Sequence, residues 1–366
     1  MSSELPTTRA INFSAGPSML PLAVLEAVQT EIVDYGGTGM SMIEMSHRSP
    51  PYELVHRGAI ALLRDLLAVP DDFEVLFIQG GATMQFGMVP MNFLTGSSAG
   101  AYVDTGAWAT KAFEDGSHHG DAYEAWSGRD IGFTRVPETA ELSLRRDTRY
   151  VHLTSNETIG GIQYKEWPDV SVPLVADMSS DFLSRRIPWE RFDLVYGGVQ
   201  KNLAPAGLAL VFVRRDILEH TQHDLASYFR YDVHASKDSM YNTPPVFPIY
   251  VMEKVLRWIQ DRGGLPAMEA AAHARAGLLY QTIDESEGFY TNPVEGASRS
   301  NMNVVFRLSD HDLEPQFVAV ASERGMVGLK GHRSVGGCRA SIYNAMPMAG
   351  VEALCEFMAD FQESVG

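Results

Sequence analysis

Lys201 is the residue whose place in the sequence suggests chemistry most directly. It lies in the turn between two apolar runs, FDLVY and GLALVFV, which are typical of buried strands. A lysine in such a turn ordinarily extends into solvent, but Gly197, Gly198, Pro205 and Gly207 indicate a tight loop held against the sheet. An ammonium group that is partly desolvated there has a lowered pKa, and its neutral amine can attack a carbonyl carbon. The pattern therefore favours a lysine that forms a Schiff base.

A Schiff-base lysine points to pyridoxal phosphate, which also needs an acid near its pyridine nitrogen, a flat side chain against its ring and a phosphate-binding loop. Asp177 ends the apolar run PLVAD, and the carboxyl ends of parallel strands share one edge of a sheet. Trp108 follows the run AYVD and offers an indole ring, while Thr158, in SNETIGG, offers a hydroxyl for the ring oxygen. Asp177 and Trp108 also have ordinary structural explanations, because an aspartate can cap the turn ADMSSD and a tryptophan is often a core residue.

A glycine-rich turn provides the candidate phosphate site. The turn Gly80-Gly81-Ala82-Thr83 separates the strand-like run EVLFIQ from the helical pattern MQFGMVPMNFL. Free backbone N–H groups and the helix dipole bind phosphate at such a junction. Gly-Gly pairs at strand ends are more often ordinary turns, so the motif gains its meaning only together with Lys201.

Short apolar runs that alternate with helical patterns must position these residues. The runs EVLFIQ, AYVD, YVHLT, PLVAD, FDLVY and GLALVFV are nearly continuous in apolar residues, as expected of strands covered by helices on both faces. We therefore predict an α/β fold with a mainly parallel sheet flanked by helices. Because 366 residues exceed what one small core serves, we also predict more than one domain. These are an N-terminal segment over 1–17 packed with the small domain, a large cofactor-binding domain over 18–262 and a small C-terminal α/β domain over 263–366.

The charge balance argues against several kinds of partner. The chain carries 46 Asp and Glu against 29 Lys and Arg, a formal net charge of −17 at pH 7, which repels nucleic acid and anionic membrane surfaces. The N-terminal MSSELPTTRAINFS lacks the apolar core of a secretion signal, and no apolar run is long enough to span a membrane, so we expect a cytoplasmic protein. The two cysteines, Cys338 and Cys355, lack the spacing of a zinc site or redox pair, and we expect no metal site.

Several stretches of the sequence together resemble a known family. They are NFSAGPSMLP, SHRS, GGATMQF, PMNFL, SNETIGGIQY, ADMSSDFLSRR, YGGVQKNLAPAGL, YNTPP and GLKGHRSVGGCRASIYNA. On these stretches, which run from residue 11 to near the C-terminus, the chain resembles the phosphoserine aminotransferases. Members of this family are class V, fold-type-I enzymes that depend on pyridoxal 5'-phosphate. The joint occurrence of QKN, GHR and GGCRASIYN makes the resemblance specific.

The resemblance implies a role for each residue of the cofactor site. It makes Lys201 the Schiff-base lysine, Asp177 the partner of the pyridine nitrogen and Trp108 the stacking residue. The further cofactor contacts that it implies are to the phosphate from Ala82, Thr83 and Gln200, and to the ring hydroxyl from Thr158. Thr83 stands where some members of the family have arginine, which implies a phosphate contact through backbone and hydroxyl without an extra positive charge.

A homodimer with shared active sites is also implied. In this family Asn242 and Thr243, within YNTPP, reach the phosphate of the neighbouring subunit's cofactor.

The implied substrates are doubly anionic, and guanidinium groups suit both carboxylate and phosphate. Arg339 is the candidate for the α-carboxylate. His47 and Arg48, entering from the other subunit, would bind the distal phosphate or carboxylate together with His332 and Arg333. The alternative is that SHRS and GHRS are simply polar loops.

The implied reaction transfers an amino group between L-glutamate and 3-phosphohydroxypyruvate, giving O-phospho-L-serine and 2-oxoglutarate in serine biosynthesis. The phosphorylated threonine analogue of pyridoxine biosynthesis stays open as a side substrate.

Four other kinds of protein compete with this interpretation. A cysteine desulfurase needs a nucleophilic thiol on a mobile loop, and neither Cys338 nor Cys355 lies in such a loop pattern. A serine–glyoxylate type transaminase is the nearest alternative, but it would not require two His-Arg pairs for a phosphorylated substrate. A nicotinamide dehydrogenase would need a G-x-G-x-x-G motif opening a helix, which the sequence lacks. A non-enzymatic binding module would not carry the absorption band of a bound cofactor.

Overall fold

A seven-stranded sheet forms the centre of the computed structural model, which describes residues 9–94, 96 and 98–365. The strands, numbered along the chain, are β1 Ile11–Asn12, β2 Phe73–Gln79, β3 Ala99–Asp104, β4 Asp121–Ser127, β5 Thr148–Thr154, β6 Asn156–Glu157, β7 Ile162–Gln163, β8 Leu174–Asp177, β9 Leu194–Gly198, β10 Leu208–Arg214, β11 Tyr290–Thr291, β12 Asn303–Leu308, β13 Met326–Val327 and β14 Cys338–Ser341. The helices are α1 Leu22–Glu31, α2 Pro50–Leu67, α3 Ala82–Phe93, α4 Ala107–Ser117, α5 Arg215–Leu218, α6 Tyr231–Ala235, α7 Val246–Asp261, α8 Gly264–Asp284, α9 Glu314–Glu323 and α10 Met348–Val365.

The central sheet is mainly parallel, as the sequence predicts. Its strand order is β2-β10-β9-β8-β5-β3-β4, and every pair from β9 to β4 is parallel. Only β10 runs against its neighbours, β9 and β2. Because antiparallel strands need no crossover helix, the short segment 199–207 joins β9 to β10, and this segment contains Lys201.

Helices cover both faces of the sheet. In β2, Val75 and Phe77 join the core formed with α2 and α7, whereas Leu76 and Ile78 join the core formed with α3 and α4. This two-sided burial explains why the strands read as nearly continuous apolar runs. None of the helices in the described ranges is long and apolar enough to cross a membrane.

A smaller antiparallel sheet of β11, β12 and β14 lies in the C-terminal part of the chain. Phe306 of β12 packs there with Phe317 of α9 and Phe357 of α10 in a separate core. The N-terminal segment belongs to this unit as well, because Ile11 of β1 pairs in parallel with Met326 of β13.

Helix α8 connects the two cores. Leu265 and Met268, near its beginning, pack in the core of the large sheet, while Leu279 and Ile283, near its end, pack in the C-terminal core. The domain boundaries at residues 17 and 262 stay a prediction, and residues 1–8 and 366 of those domains lie outside the described residues.

Candidate active site

The amine of Lys201 is held at the edge of the central sheet. Its Nζ donates a hydrogen bond to Oγ1 of Thr158 at 2.6 Å, and Oγ of Ser18 donates to the carbonyl oxygen of Lys201 from the opposite end of the residue. Burial lowers the pKa of Lys201, although the nearby carboxylates of Asp177 and Glu157 act in the opposite direction. The lysine is therefore both positioned and shifted toward the neutral form that nucleophilic attack requires.

Asp177 lies at the end of β8, where the register pairs it with Thr154 of β5 and Tyr196 of β9. Its Oδ1 accepts hydrogen bonds from the N–H of Ser179 at 2.8 Å and from Oγ of Ser179 at 2.5 Å. Its Oδ2 accepts no hydrogen bond from the described residues. Burial raises the pKa of Asp177, and the charge of Lys201 partly offsets that rise. One oxygen of a buried carboxylate is thus free to meet a cationic N–H.

Trp108 lies in the first turn of α4, and its ring centroid is 5.6 Å from Nζ of Lys201. The indole Nε1 is buried and has no hydrogen-bond partner among the described residues. The ring therefore lies beside the reactive amine, as stacking on a cofactor there requires.

Glu157 is part of this site, although it was not predicted from the sequence. It is fully buried, with 0% exposure, and its two oxygens accept the backbone N–H groups of Trp108 at 3.2 Å and Ala109 at 2.8 Å. Gly106 permits this approach, because a Cβ at that position would lie 2.9 Å from Cδ of Glu157. Burial raises the pKa of Glu157 to about 7, and the Asp177 carboxylate adds to the rise. The carboxylate thus anchors the start of α4 and the residue that carries the stacking ring.

The predicted phosphate turn has the expected geometry. Helix α3 begins at Ala82, directly after Gly80, whose φ is +106°, and Gly81. No side chain caps this helix, so the first-turn N–H groups, including that of Thr83, are available to an anion. Oε1 of Gln200 is buried without a hydrogen-bond partner among the described residues.

Asn242 and Thr243 lie next to this turn within the same chain. Nδ2 of Asn242 donates to Oε1 of Gln79 at 3.0 Å, and Nε2 of Gln79 donates to the carbonyl oxygen of Thr243 at 2.7 Å. Gln79 is the last residue of β2, immediately before Gly80. Their contact with a partner's cofactor stays a prediction.

Arg339 of β14 reaches the site from the C-terminal sheet. Its Nη1 donates to the carbonyl oxygen of Thr158 at 3.3 Å, and its Nε is buried without a partner among the described residues. Burial lowers the pKa of His332, and the positive charges of Arg339, Arg333 and Lys111 lower it further.

Lys111 is a further cation that was not predicted from the sequence, and its Nζ lies 4.6 Å from the ring centroid of Trp108.

His47 and Arg48 are not joined to these residues within one chain. They lie in the segment before α2, where the N–H of Arg48 donates to Oγ of Ser46 at 3.2 Å. No hydrogen bond or ion pair among the described residues links either side chain to Lys201. Their place in the substrate site stays a prediction.

These residues fit pyridoxal phosphate. Lys201 supplies the amine for covalent attachment, the free oxygen of Asp177 suits a protonated pyridine nitrogen, and Trp108 supplies a ring face. The unpartnered buried atoms, Nε1 of Trp108 and Oε1 of Gln200, mark polar positions where a bound group can complete the hydrogen bonding.

The two cysteines do not fit the role of a desulfurase nucleophile. Cys338 is buried in the C-terminal core, where burial raises its pKa to about 12, and burial also raises the pKa of Cys355 on α10. Both thiols are therefore protonated near neutral pH, whereas a nucleophilic cysteine requires the thiolate.

Comparison with known proteins agrees with this geometry. The family model described as aminotransferase class-V matches residues 10–354. The phosphoserine aminotransferase of Niallia circulans is 50% identical over 359 residues, which cover 98% of this chain and 99% of that protein. The phosphoserine aminotransferase of Lysinibacillus sphaericus is 49% identical over 358 residues, with the same shares covered.

Solved structures give the same picture. A phosphoserine aminotransferase structure from Bacillus circulans subsp. alkalophilus has a TM-score of 0.97 at 50% identity and covers 98% of this chain and 100% of that one. The PLP-bound phosphoserine aminotransferase of Trichomonas vaginalis has a TM-score of 0.92 at 38% identity and covers 96% of this chain and 100% of that one. The chain therefore belongs to the class-V, pyridoxal-phosphate-dependent aminotransferases of fold type I, within the phosphoserine aminotransferase family.

Proposed function

We propose that this chain transfers an amino group between L-glutamate and 3-phosphohydroxypyruvate, giving O-phospho-L-serine and 2-oxoglutarate. The observation that carries this proposal is the position of the Lys201 amine. Its Nζ is hydrogen-bonded to Oγ1 of Thr158 at 2.6 Å, and the nearby buried carboxylate of Asp177 has hydrogen bonds from the described residues at only one of its two oxygens. It stands in a chain that is about half identical, over nearly its full length, to phosphoserine aminotransferases. The reaction is a step of serine biosynthesis.

Each residue of the cofactor site has a separate task. When bound, pyridoxal phosphate supplies an aldehyde that links covalently to amines and a protonated ring that withdraws electrons from the substrate's Cα. Oδ2 of Asp177 would pair with the ring nitrogen and favour its protonated form, and Trp108 would lie against one face of the ring. Nζ of Lys201 accepts the proton that leaves Cα, a task that its lowered pKa favours.

The phosphate group of the cofactor is held at the start of α3. The first-turn N–H groups of Ala82 and Thr83 would donate to its oxygens, and the side-chain NH2 group of Gln200, rather than its Oε1, would donate the further hydrogen bond. Thr83 adds a hydroxyl but no charge, so the helix dipole supplies most of the local positive potential in one subunit.

The cations at the C-terminal sheet hold the substrate. Arg339 has an unpartnered buried Nε beside Thr158, and in this position its guanidinium fork matches the α-carboxylate. His332 and Arg333 hold the distal phosphate or carboxylate. These cations give the site a positive field within a chain of net charge −17.

The complete site is built from two subunits of a homodimer. His47 and Arg48 have no link to Lys201 within one chain, which suits residues that act on the partner's site. Asn242 and Thr243, beside Gln79, would reach the partner's cofactor phosphate. The enzyme acts in the cytoplasm, and the phosphorylated threonine analogue of pyridoxine biosynthesis is a side substrate.

A coupled assay tests the proposed substrate. With L-glutamate as donor, 3-phosphohydroxypyruvate should be used with a kcat/KM at least about a hundredfold above that of hydroxypyruvate or glyoxylate, because the loss of two charge-assisted contacts costs about 3 kcal/mol. Arg333→Ala should reduce that preference, since the role proposed for Arg333 is to pair with the distal anion rather than with the α-carboxylate. A preference for glyoxylate would instead identify a serine–glyoxylate type transaminase and overturn the proposal.

A further inference from the structure

A second pocket lies away from the active site, between helices α1, α7 and α8, the segment 344–347 and the first residue of α10, Met348. Its volume is about 890 Å³, and no residue of the cofactor site lines it. Three arginines, Arg9, Arg262 and Arg275, line the pocket together with apolar side chains such as those of Trp258 and Met346. The pocket therefore combines positive charge with apolar surface.

Arg275 is a buried cation without a counter-ion among the described residues. Only 4% of its surface is exposed, and its Nε donates to the carbonyl oxygen of Ile342 at 3.3 Å. Its Nη2 is buried and has no hydrogen-bond partner among the described residues. Burial lowers the pKa of Arg275 to about 10, because it removes the charged form from water.

Arg185 shows how the same chain treats another cation that is largely buried. It donates two hydrogen bonds to the buried carboxylate of Asp181, at 3.1 and 2.8 Å. Burying a charge without such a partner costs free energy of folding, and pairing with an anion offsets much of that cost. Because Arg275 lies at the wall of the pocket, an anion bound in the pocket could pair with its guanidinium group.

The other two arginines of the pocket are also without carboxylate partners among the described residues. Arg9 donates from Nη2 to the carbonyl oxygen of Leu20 at 2.8 Å, and the guanidinium of Arg262 lies 4.4 Å from the ring centroid of Trp258. Glu26 lines the same pocket but forms no ion pair with any of the three. Three cations against one carboxylate leave the pocket positive.

We propose that this pocket binds a small organic anion, a carboxylate or phosphate ester with an apolar body. The guanidinium groups of Arg275 and Arg262 pair with the anionic head, and the surface of Trp258 and Met346 covers the apolar body. The site requires neither the cofactor nor the transamination, so it stands apart from the proposed function.

The pocket is also connected to the active-site loop. Asn344 lines the pocket, and its Oδ1 is a second buried atom without a partner among the described residues. The N–H of Asn344 donates to Oδ1 of Asn202 at 2.9 Å, and Asn202 directly follows Lys201. A ligand that contacts Asn344 therefore lies one hydrogen bond from the loop that carries the catalytic amine.

Phenyl phosphate is a suitable probe, and isothermal titration calorimetry of the holoenzyme measures its binding. Saturating O-phospho-L-serine occupies the active site, so binding that persists in its presence belongs elsewhere. We expect phenyl phosphate to bind under these conditions and phenol, which lacks the charge, to show no binding. Inorganic phosphate should bind more weakly than phenyl phosphate, because it lacks the apolar body.

Two variants assign the binding to the pocket. Arg262→Met should weaken phenyl phosphate binding about tenfold, since a charge-assisted hydrogen bond is lost, and Arg275→Met should weaken it at least as much. Arg262 is exposed, so its variant keeps the test decisive even if Arg275→Met folds poorly. Arg146→Met removes an exposed cation elsewhere and should leave the affinity unchanged. Complete competition by O-phospho-L-serine, absence of binding, or equal affinity in wild type and Arg262→Met would overturn the proposal.

Discussion

Nζ of Lys201 donates its hydrogen bond to Oγ1 of Thr158, at 2.6 Å, across the carboxyl edge of the central sheet. The two residues come from different connections, one after β9 and the other after β6. The hydrogen bond between them orients the amine before any cofactor binds. We therefore expect the loss of the Thr158 hydroxyl to change the affinity for the cofactor.

Thr158→Val removes the hydroxyl while keeping the shape of the side chain. We expect the affinity of the apoenzyme for pyridoxal phosphate to fall by about tenfold to a hundredfold, because the hydroxyl is proposed to bond to the ring oxygen of the cofactor and a charge-assisted hydrogen bond contributes about 1.5 to 3 kcal/mol. A spectral titration of the apoenzyme measures this affinity. Thr158→Ser is the matched control and should bind nearly as the wild type does. Equal affinities in the valine and serine variants would show that the hydroxyl plays no such role.

Glu157→Gln tests the buried carboxylate at the start of α4. Burial raises the pKa of Glu157 to about 7, so the wild-type protein loses stability as the pH rises from the unfolded-state pKa, near 4.5, to about 7. The variant lacks this titration. The melting temperature of the variant minus that of the wild type should therefore rise between pH 5 and pH 8 and level off above that range, as measured by calorimetry of the apoenzyme.

Glu323→Gln, at the exposed end of α9, makes the same substitution on the surface and is the matched control. Its melting temperature should stay close to that of the wild type, because the side chain lies in solvent. If the difference in melting temperature between Glu157→Gln and the wild type does not change with pH, the Glu157 carboxylate is charged over the whole range and is fully stabilised by the N–H groups of Trp108 and Ala109.

Arg339→Lys tests recognition of the α-carboxylate. A lysine keeps the charge but loses the planar fork, so KM for both L-glutamate and 3-phosphohydroxypyruvate should rise about tenfold or more. Cofactor affinity should not change, since Arg339 contacts the carbonyl oxygen of Thr158 rather than its hydroxyl. Steady-state kinetics with each substrate varied in turn provides the measurement. An effect on only one of the two substrates would contradict the assignment, because both carry the same α-carboxylate.

Mixed dimers test whether the active sites are shared. If Arg48 acts on the partner's site, a dimer of one Lys201→Ala and one Arg48→Ala subunit has one site that is intact and one that lacks both residues. Such dimers, isolated with two different affinity tags, should show about half of the wild-type activity per dimer, because one of two symmetric sites survives. Activity no higher than that of the Arg48→Ala homodimer would place Arg48 in the site of its own subunit.

The sequence predicts the central sheet well because its strands are buried on both faces and read as continuous apolar runs. Strand β4, Asp121–Ser127, was not predicted, since it lies at the edge of the sheet and only Ala125 of its seven residues is buried. The reversed direction of β10 was not foreseen either, because apolar periodicity carries no information on strand direction.

Lys201, Asp177 and Trp108 could be singled out from the sequence because each stands directly at a strand end or in a short loop after one; the structure places Trp108 beside Lys201 and Asp177 at the end of β8, and their roles stay predictions. Glu157 was missed although it precedes Thr158 in the same motif, because its role depends on amides that α4 brings to it from about fifty residues earlier in the chain. Arg275 was missed for a related reason, since only the packing of α8 shows that its charge is buried without a partner.

The central claim is that the amine of Lys201 holds the cofactor. Reduction of the purified holoenzyme with borohydride, followed by proteolysis and mass spectrometry, measures this directly, because reduction makes the link between cofactor and amine permanent. We predict that the mass of the reduced cofactor is found on the peptide that contains Lys201 and on no other peptide. Attachment to another lysine, or recovery of the Lys201 peptide without the added mass, would contradict the account.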